Sequence, residues 1–256
     1  MRIARFTTGE DPRYGVVEGE DTVAVVEGDP LYRPIQFTGE RLPLTDVRLL
    51  APVIPRSKVV GIGKNYADHA AEMGGDAPTE PLVFLKPNTA VIGPGDPIGY
   101  PRQSQDVHYE GELAVVIGRI CRDVPRERVP EVIFGYTVGN DVTARDLQNR
   151  DGQWARAKGF DGFCPLGPWI ETELDVSDLA VTTTLNGELK QAGRTAQMIH
   201  HVPALIEHIS AAMTLLPGDV LLTGTPAGVG PMNPGDEVAV TIEGIGTLTN
   251  RVVSRG

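Results

Sequence analysis

Only two cysteines occur in 256 residues, Cys121 and Cys164, far apart and outside any Cys-x-x-Cys pair. Nothing in that usage suggests a disulfide framework or a structural zinc site. Basic residues are also short: 23 Lys and Arg stand against 34 Asp and Glu, a formal net charge of −11. Nucleic acid and anionic membrane are therefore poor partners for the surface as a whole. No stretch approaches the ~18 unbroken apolar residues of a membrane span. The opening MRIARFTTGEDPRYG carries charges where a secretion signal needs an apolar centre. The expectation is a cytoplasmic protein with neither membrane nor nucleic acid as partner.

Familiar nucleotide and nucleophile signatures are missing too. GIGKNY has Tyr66 where a dinucleotide fingerprint needs its third glycine, and no phosphate-loop pattern follows Lys64. There is no Gly-x-Ser-x-Gly elbow, no internal repeat and no low-complexity tract. What remains is ordinary globular composition, with 41% hydrophobic and 22% charged residues. That suffices for one large core, or a core plus a small module.

Strand-like segments dominate, and 30 Gly with 21 Pro supply many tight turns between them. YGVVEGEDTVAVVEG (14–28) reads as a hairpin turning at Glu18–Asp21. VTTTLNGELKQ (181–191) carries Asn186-Gly187 between strand-like flanks, a strong two-residue hairpin signal. EVAVTIEGIGTLTNRVV (237–253) reads as a third, turning at Gly244–Gly246. The best helix is VPALIEHISAAMTLLPGD (202–219), with Pro203 in its first turn, Pro217-Gly218 ending it and a core-facing stripe between. A shorter one is expected near 126–134. The fold class is mixed α+β and β-dominated, with a small β-rich module over 1–50 and the main domain over 51–256.

The charges in HYEGELAVVIG (108–118) pose a physical problem. A run fit for a buried strand begins with Glu110 and Glu112, and side chains two apart on a strand share a face. The two carboxylates repel, and no Lys or Arg lies between Asp106 and Gly118 to offset them. Either they are solvated at a sheet rim, or a bound divalent cation holds them and needs a third ligand. Asp141, alone in the apolar run GYTVGNDVTA, is the candidate. Nearby Asp146 has the more usual prospect of pairing with Arg145 or Arg150. Three carboxylates without a His or Cys cluster describe a hard oxygen site suited to Mg²⁺, Mn²⁺ or Ca²⁺.

KNYADHAAEMGGDAP (64–78) sets His69 and Glu72 three apart, on one face if the segment is a short helix. A His held by a Glu is a general base for water, and Gly74-Gly75 suggest a segment that opens and closes; an exposed helical turn with a solvated acid is the plainer alternative. Lys158, flanked by Trp154, Phe160 and Phe163, is either a desolvated cation facing an anionic substrate or an ordinary solvated lysine. The Gly-rich stretch LLTGTPAGVGP after an apolar strand either cradles a carboxylate with its amides and Thr225 or is a plain turn.

Taken in order and spacing, VVGIGKNYADHAAEMG, PLVFLKP, DVHYEGELAVVIG, GYTVGNDVTARDLQ, AKGFDGFCPLGP, LNGELKQ and LLTGTPAGVGP resemble the fumarylacetoacetate hydrolase family from about residue 50 onward. The resemblance implies a mixed β-sandwich roll. It implies Mg²⁺ or Mn²⁺ held by Glu110, Glu112 and Asp141, a His69–Glu72 dyad on a lid, and Lys158 as the active-site lysine. Lys86, Gln148 and Thr225 fall at positions expected to bind substrate. A homodimer is the expected assembly and a small keto-acid the expected partner.

The activity so implied is hydrolysis of a C–C bond in acylpyruvates through an enolate at the cation. Two alternatives use the same site: oxaloacetate decarboxylation, and isomerisation of a 2-hydroxyhepta-2,4-diene-1,7-dioate. A catalytically idle binding module is the reading of a different class. The presence of all three acids and both members of the dyad argues against it.

Overall fold

The strand Gly111–Ile117 is buried along its whole length, and its two faces enter different cores. Leu113, Val115 and Ile117 pack with Val181, Val240 and Ile242 and with Leu205, Ile206 and Ile209 of the longest helix. Ala114 and Val116 point the other way, among Val59, Leu166, Val220 and Leu222. Such two-sided burial explains why Leu113–Ile117 reads as an unbroken apolar run. The computed structural model describes residues 1–72, 74 and 78–255.

Gly111–Ile117 pairs antiparallel with Ile133–Asn140 on one side and Val220–Leu222 on the other. These lie inside a twelve-stranded mixed sheet. Arg2–Thr7 pairs with Cys164–Glu171, so the N-terminal strands extend this same sheet instead of forming one of their own. They nevertheless enclose a small core of Ala4, Phe6, Val17, Val23 and Val25. A five-stranded sheet built around Ala180–Leu185 and Glu237–Ile242 covers one face of the large one, and a three-stranded sheet stands beside it. The architecture is mixed and strand-dominated, as the composition indicates.

The feature that positions the site is a seam between two sheets. Val107–Tyr109 and Thr143–Ala144 pair in the three-stranded sheet, whereas Gly111–Ile117 and Ile133–Asn140 pair in the large one. Glu110 and Asp141 are the residues at which these two segments of the chain change sheets, and each lies outside any strand. The Asp141 amide donates to the Glu110 carbonyl at 2.8 Å, and the Glu110 amide donates to Asn140 Oδ1 at 2.9 Å. Two acids distant in sequence thus become backbone neighbours.

The three expected hairpins are present, with turns after Glu18, at Asn186-Gly187 and after Ile242. Asn186 and Gly187 both have positive φ, the geometry a two-residue turn requires. Two helix expectations need correction. The helix beginning at Val202 ends at Ala212, not at Pro217, because Leu215 forms a bridge with Cys121 and draws the chain out of helical geometry. The short helix near 126–134 is a 3-10 turn over Arg126–Glu131, after which Ile133 enters the sheet. The Gly74-Gly75 hinge expectation falls partly outside the described residues, which include Gly74 but not Gly75. Among the described residues no helix is long and apolar enough to cross a membrane.

Gly111 separates the two glutamates for a steric reason. A Cβ there would meet Thr183 Oγ1 at 2.3 Å and Val240 Cγ1 at 2.9 Å, both on the covering sheet. Gly111→Ala is therefore expected to destabilise the fold by about 1–3 kcal/mol through overpacking. Thermal denaturation checks this, and an unchanged midpoint would show that the two sheets are not packed this closely.

Candidate active site

One carboxylate oxygen from each of Glu110, Glu112 and Asp141 lies within 4.8 Å of the others, and all three residues are buried. The bases that face them come from three further elements. Lys158, ending the short helix Ala155–Lys158, donates to Glu110 Oε2 at 2.9 Å, Asp141 Oδ2 at 2.6 Å and Thr143 Oγ1 at 2.7 Å. Lys86, ending the strand Leu82–Lys86, donates to Asp141 Oδ1 and to the Phe163 carbonyl, the latter at 2.6 Å. Arg145, opening the helix Arg145–Asp151, donates to Glu110 Oε1 through one amino group and to Gln148 Oε1 at 2.9 Å through the other. The absence of nearby basic residues in sequence is thus made good by tertiary contacts.

The two glutamates differ electrostatically despite their spacing. Burial alone would raise the Glu110 carboxyl, but Arg145 and Lys158 outweigh it and hold the group well below the ordinary carboxylate range. Glu112 is pushed well above that range, first by burial and then by the negative charges of Asp141 and Glu110. Its close partner is the Gly224 amide, which donates to Oε2 at 2.7 Å; no Lys or Arg bonds to it among the described residues. A buried acid among acids, with oxygen donors converging on one point, fits a hard divalent cation. Glu110, Glu112 and Asp141 could hold one.

Glu110, Glu112, Arg145 and Lys158 border a cavity of about 160 Å³ that also exposes His69, Gln148 and Thr225, with Asp141 behind its wall. His69 is buried on the helix Ala67–Glu72, and its Nδ1 lies 3.1 Å from Glu72 Oε2. Asn65 anchors the start of this helix: its amide donates to the Thr223 carbonyl at 2.7 Å, and its Oδ1 accepts from the His200 amide at 2.9 Å. Glu72 in turn accepts from the Gly228 amide at 3.1 Å. Thr225 donates to the Gly111 carbonyl at 2.9 Å and accepts from Gln191 at 2.8 Å. The Gly-rich loop therefore does cradle carboxylates, but they are the chain's own Glu112 and Glu72. On the far side Trp154 meets Phe84 edge-on, with the Lys158 ammonium 4.8 Å from the Phe84 ring centre.

Lys86 is not on the cavity wall. It lies behind Asp141 with 1% of its surface exposed, so it orients that acid and does not reach into the pocket. Lys158, expected to face a substrate, does line the cavity, and its ammonium is bonded there to Glu110, Asp141 and Thr143. Asp146 pairs with neither arginine: it accepts from Ser104 and from the Gln105 and Leu147 amides. Arg145 is the site residue that sequence reasoning missed. Its spacing of three from Gln148 at the start of a helix was the available signal. Lys64 and Trp154 also line the cavity, without having been picked out as pocket residues from the sequence.

A strand-built scaffold carrying a buried carboxylate cluster and a His–Glu pair around one small polar cavity defines a class of enzyme acting on small oxygen-rich substrates. The chain belongs to the fumarylacetoacetate hydrolase family: the model described as "Fumarylacetoacetate (FAA) hydrolase C-terminal" matches residues 58–253, and one described as "Rv2993c-like, N-terminal" matches residues 1–52. Protein Rv2993c of Mycobacterium tuberculosis is 56% identical over 100% of this chain and 99% of its own. The oxaloacetate tautomerase YisK of Bacillus subtilis is 43% identical over 82% of this chain and 74% of its own. Among solved structures, 2-hydroxyhepta-2,4-diene-1,7-dioate isomerase from Mycobacterium marinum superposes with a TM-score of 0.92 at 52% identity, covering 100% of this chain and 99% of that one. Maleylpyruvate hydrolase from Sphingobium sp. SYK-6, solved with manganese (II) ion and pyruvate, does so at 0.82 and 33% identity, with 100% of both chains covered. Family members are enzymes, and this chain is one of them.

The position of Lys86 yields a stability test. Removing one partner of a buried ion pair leaves the other uncompensated, so Lys86→Met is expected to lower stability by about 3–5 kcal/mol. Chemical denaturation checks this, and a loss under about 1 kcal/mol would mean that Asp141 does not depend on Lys86.

Proposed function

We propose that this chain is a divalent-metal-dependent enzyme of short 2-oxo acids, and within that class a hydrolase of the C–C bond in acylpyruvates. The observation that carries the hydrolytic reading is the His69–Glu72 pair, whose His69 borders the same small cavity as Glu110 and Glu112. Glu110, Glu112 and Asp141 would hold Mg²⁺ or Mn²⁺, and the manganese and pyruvate in the maleylpyruvate hydrolase structure support that assignment. Bound there, the ion would act as a Lewis acid toward the keto and carboxylate oxygens of the substrate.

The chain's own residues supply the proton chemistry. Glu72 holds His69 through Nδ1, which leaves Nε2 to take a proton from water. Hydroxide adds to the distal carbonyl, the bond to the adjacent methylene breaks, and its electron pair passes into a pyruvate enolate. Protonated His69 returns the proton to the enolate carbon, so one acylpyruvate and one water give a carboxylate and pyruvate. Gln148 presents its amide N–H₂ to a substrate oxygen, because Arg145 already holds its carbonyl. Lys158 steadies Glu110 and Asp141 and contributes positive charge beside the growing oxyanion.

A second reading is proton transfer without cleavage, as in tautomerisation of oxaloacetate or isomerisation of a hydroxydienoate. The names of relatives 43% and 52% identical favour it, and the same dyad could move the proton. Decarboxylation of oxaloacetate draws on the same enolate chemistry without attacking water. Two free buried thiols suit the reducing cytoplasm we assign, and a homodimer is the assembly we propose.

A panel of acylpyruvates and oxaloacetate, assayed with EDTA and after Mg²⁺ or Mn²⁺ is restored, tests these readings. Metal-dependent release of pyruvate from an acylpyruvate is expected. His69→Ala should reduce that rate by at least about 100-fold, the usual contribution of a general base. Metal-dependent tautomerisation or decarboxylation without hydrolysis would replace the first reading with the second. No product from any keto-acid would leave only a binding module.

A further inference from the structure

The stretch LNGELKQ (185–191) contributes no side chain to the cavity wall, yet its last residue is entirely buried. Gln191 lies on the covering sheet, in the strand Glu188–Arg194, and both polar atoms of its amide are engaged. Its Oε1 accepts from the Gly111 amide at 3.0 Å, and its Nε2 donates to Thr225 Oγ1 and to the Pro226 carbonyl, each at 2.8 Å. The Gly111 amide can only donate and the Pro226 carbonyl can only accept, so the direction of this side chain is fixed. Thr225 closes the ring by donating to the Gly111 carbonyl at 2.9 Å.

The ring stands where a strand is missing. Val220–Leu222 pairs with Ala114–Val116, and Thr223 donates its amide to the Leu113 carbonyl, but that segment then leaves the sheet. Gly111 lacks a strand neighbour there, and Gln191 and Thr225 satisfy its amide and carbonyl instead.

The backbone of the covering sheet is adjusted to the same end. Thr184 pairs with Leu189 but Thr183 pairs with Gln191, which leaves Lys190 as an extra residue in the ladder. A bulge of this kind re-aims a side chain and is frequent beside active sites. Thr183 is the residue whose hydroxyl would meet a Cβ at Gly111, so the place opposite it faces the junction between the two glutamates. An uninterrupted ladder would put Lys190 in that place; the bulge puts Gln191 there. The Lys190 carbonyl packs instead on Gly228, where a Cβ would meet it at 2.2 Å.

We infer that Gln191 is a positioning residue for the carboxylate cluster, acting through Gly111 and the Gly-rich loop without touching the cavity. Gly111 joins Glu110 to Glu112, so whatever fixes its amide and carbonyl fixes how the two carboxylates stand to each other. The loop that Gln191 holds also gives the Gly224 amide to Glu112 and the Gly228 amide to Glu72. One buried amide thus sets both the spacing of two oxygen donors and the support of the dyad's acid. The inference rests on the divalent-cation reading above and adds a residue that tunes that site from outside.

Cation binding, not turnover, tests this. Mn²⁺ affinity is measured by electron paramagnetic resonance on the whole chain, at a temperature where each protein is folded. Gln191→Met keeps the side-chain bulk and removes all three bonds. It is expected to weaken Mn²⁺ binding by about 10–100-fold, the usual effect of losing a group that orients a metal ligand. Ile245→Ala, which trims a buried side chain at a hairpin turn of the same sheet, should lower the thermal midpoint and leave Mn²⁺ affinity as it is. A purely structural Gln191 would behave like that control, so a folded Gln191→Met with wild-type affinity overturns the inference. If Gln191→Met does not fold, the wild type decides: Mg²⁺ should shift the NMR signals of the Gln191 side-chain amide, and unmoved signals overturn the inference. Absence of Mn²⁺ binding by the wild type is a different failure, which overturns the divalent-cation reading and the inference with it.

Discussion

Crowded negative charge at a break between two sheets is the constraint on which the rest of this structure depends. Glu110 and Asp141 sit where paired strands pass from the large sheet into the small one, and Glu112 follows one residue into the strand. Withdrawing three carboxylates from water is unfavourable unless opposite charges and hydrogen bonds replace the solvent. Lys86, Arg145 and Lys158 do this from a strand end, a helix start and a helix end. The seam is therefore an electrostatic junction as well as a topological one, tying together segments spread over some seventy residues of chain.

The compensation is uneven, and that unevenness gives the site its chemistry. Glu110 and Asp141 are each held through both oxygens, whereas Glu112 has one backbone amide and two negative neighbours. A site fully neutralised by its own bases would be inert scaffolding; this one keeps an acid whose charge wants a further cation. His69, paired with Glu72, borders the same cavity on a helix fastened through Asn65 to the loop after Val220–Leu222. That loop also bonds Glu112 and Glu72, so the carboxylate cluster and the proton-transfer pair share one support.

Much of the site was legible in the chain, though unequally. Strand alternation puts Glu110 and Glu112 on one side, and both do border the cavity. Three-residue spacing places His69 beside Glu72. The hairpin at Asn186-Gly187 follows from two residues able to take positive φ. By contrast, Lys86 read as a pocket residue because its distance behind Asp141 is a matter of packing depth. Asp146 read as the partner of Arg145 or Arg150, whereas Ser104 and two backbone amides claim that acid, and the Arg145 guanidinium bonds Glu110. The helix expected to reach Pro217 stopped at Ala212 because Leu215 found a partner in Cys121, ninety-odd residues upstream.

By itself the amino-acid order determined what depends on neighbours along the chain: which segments are strands, where tight turns fall, and which acids share a face. Those follow from periodicity and local backbone preference, whose reach is a few residues. Tertiary structure alone decided how the charges are shared, because each buried carboxylate is matched by a base from a distant element and the matching is set by three-dimensional packing.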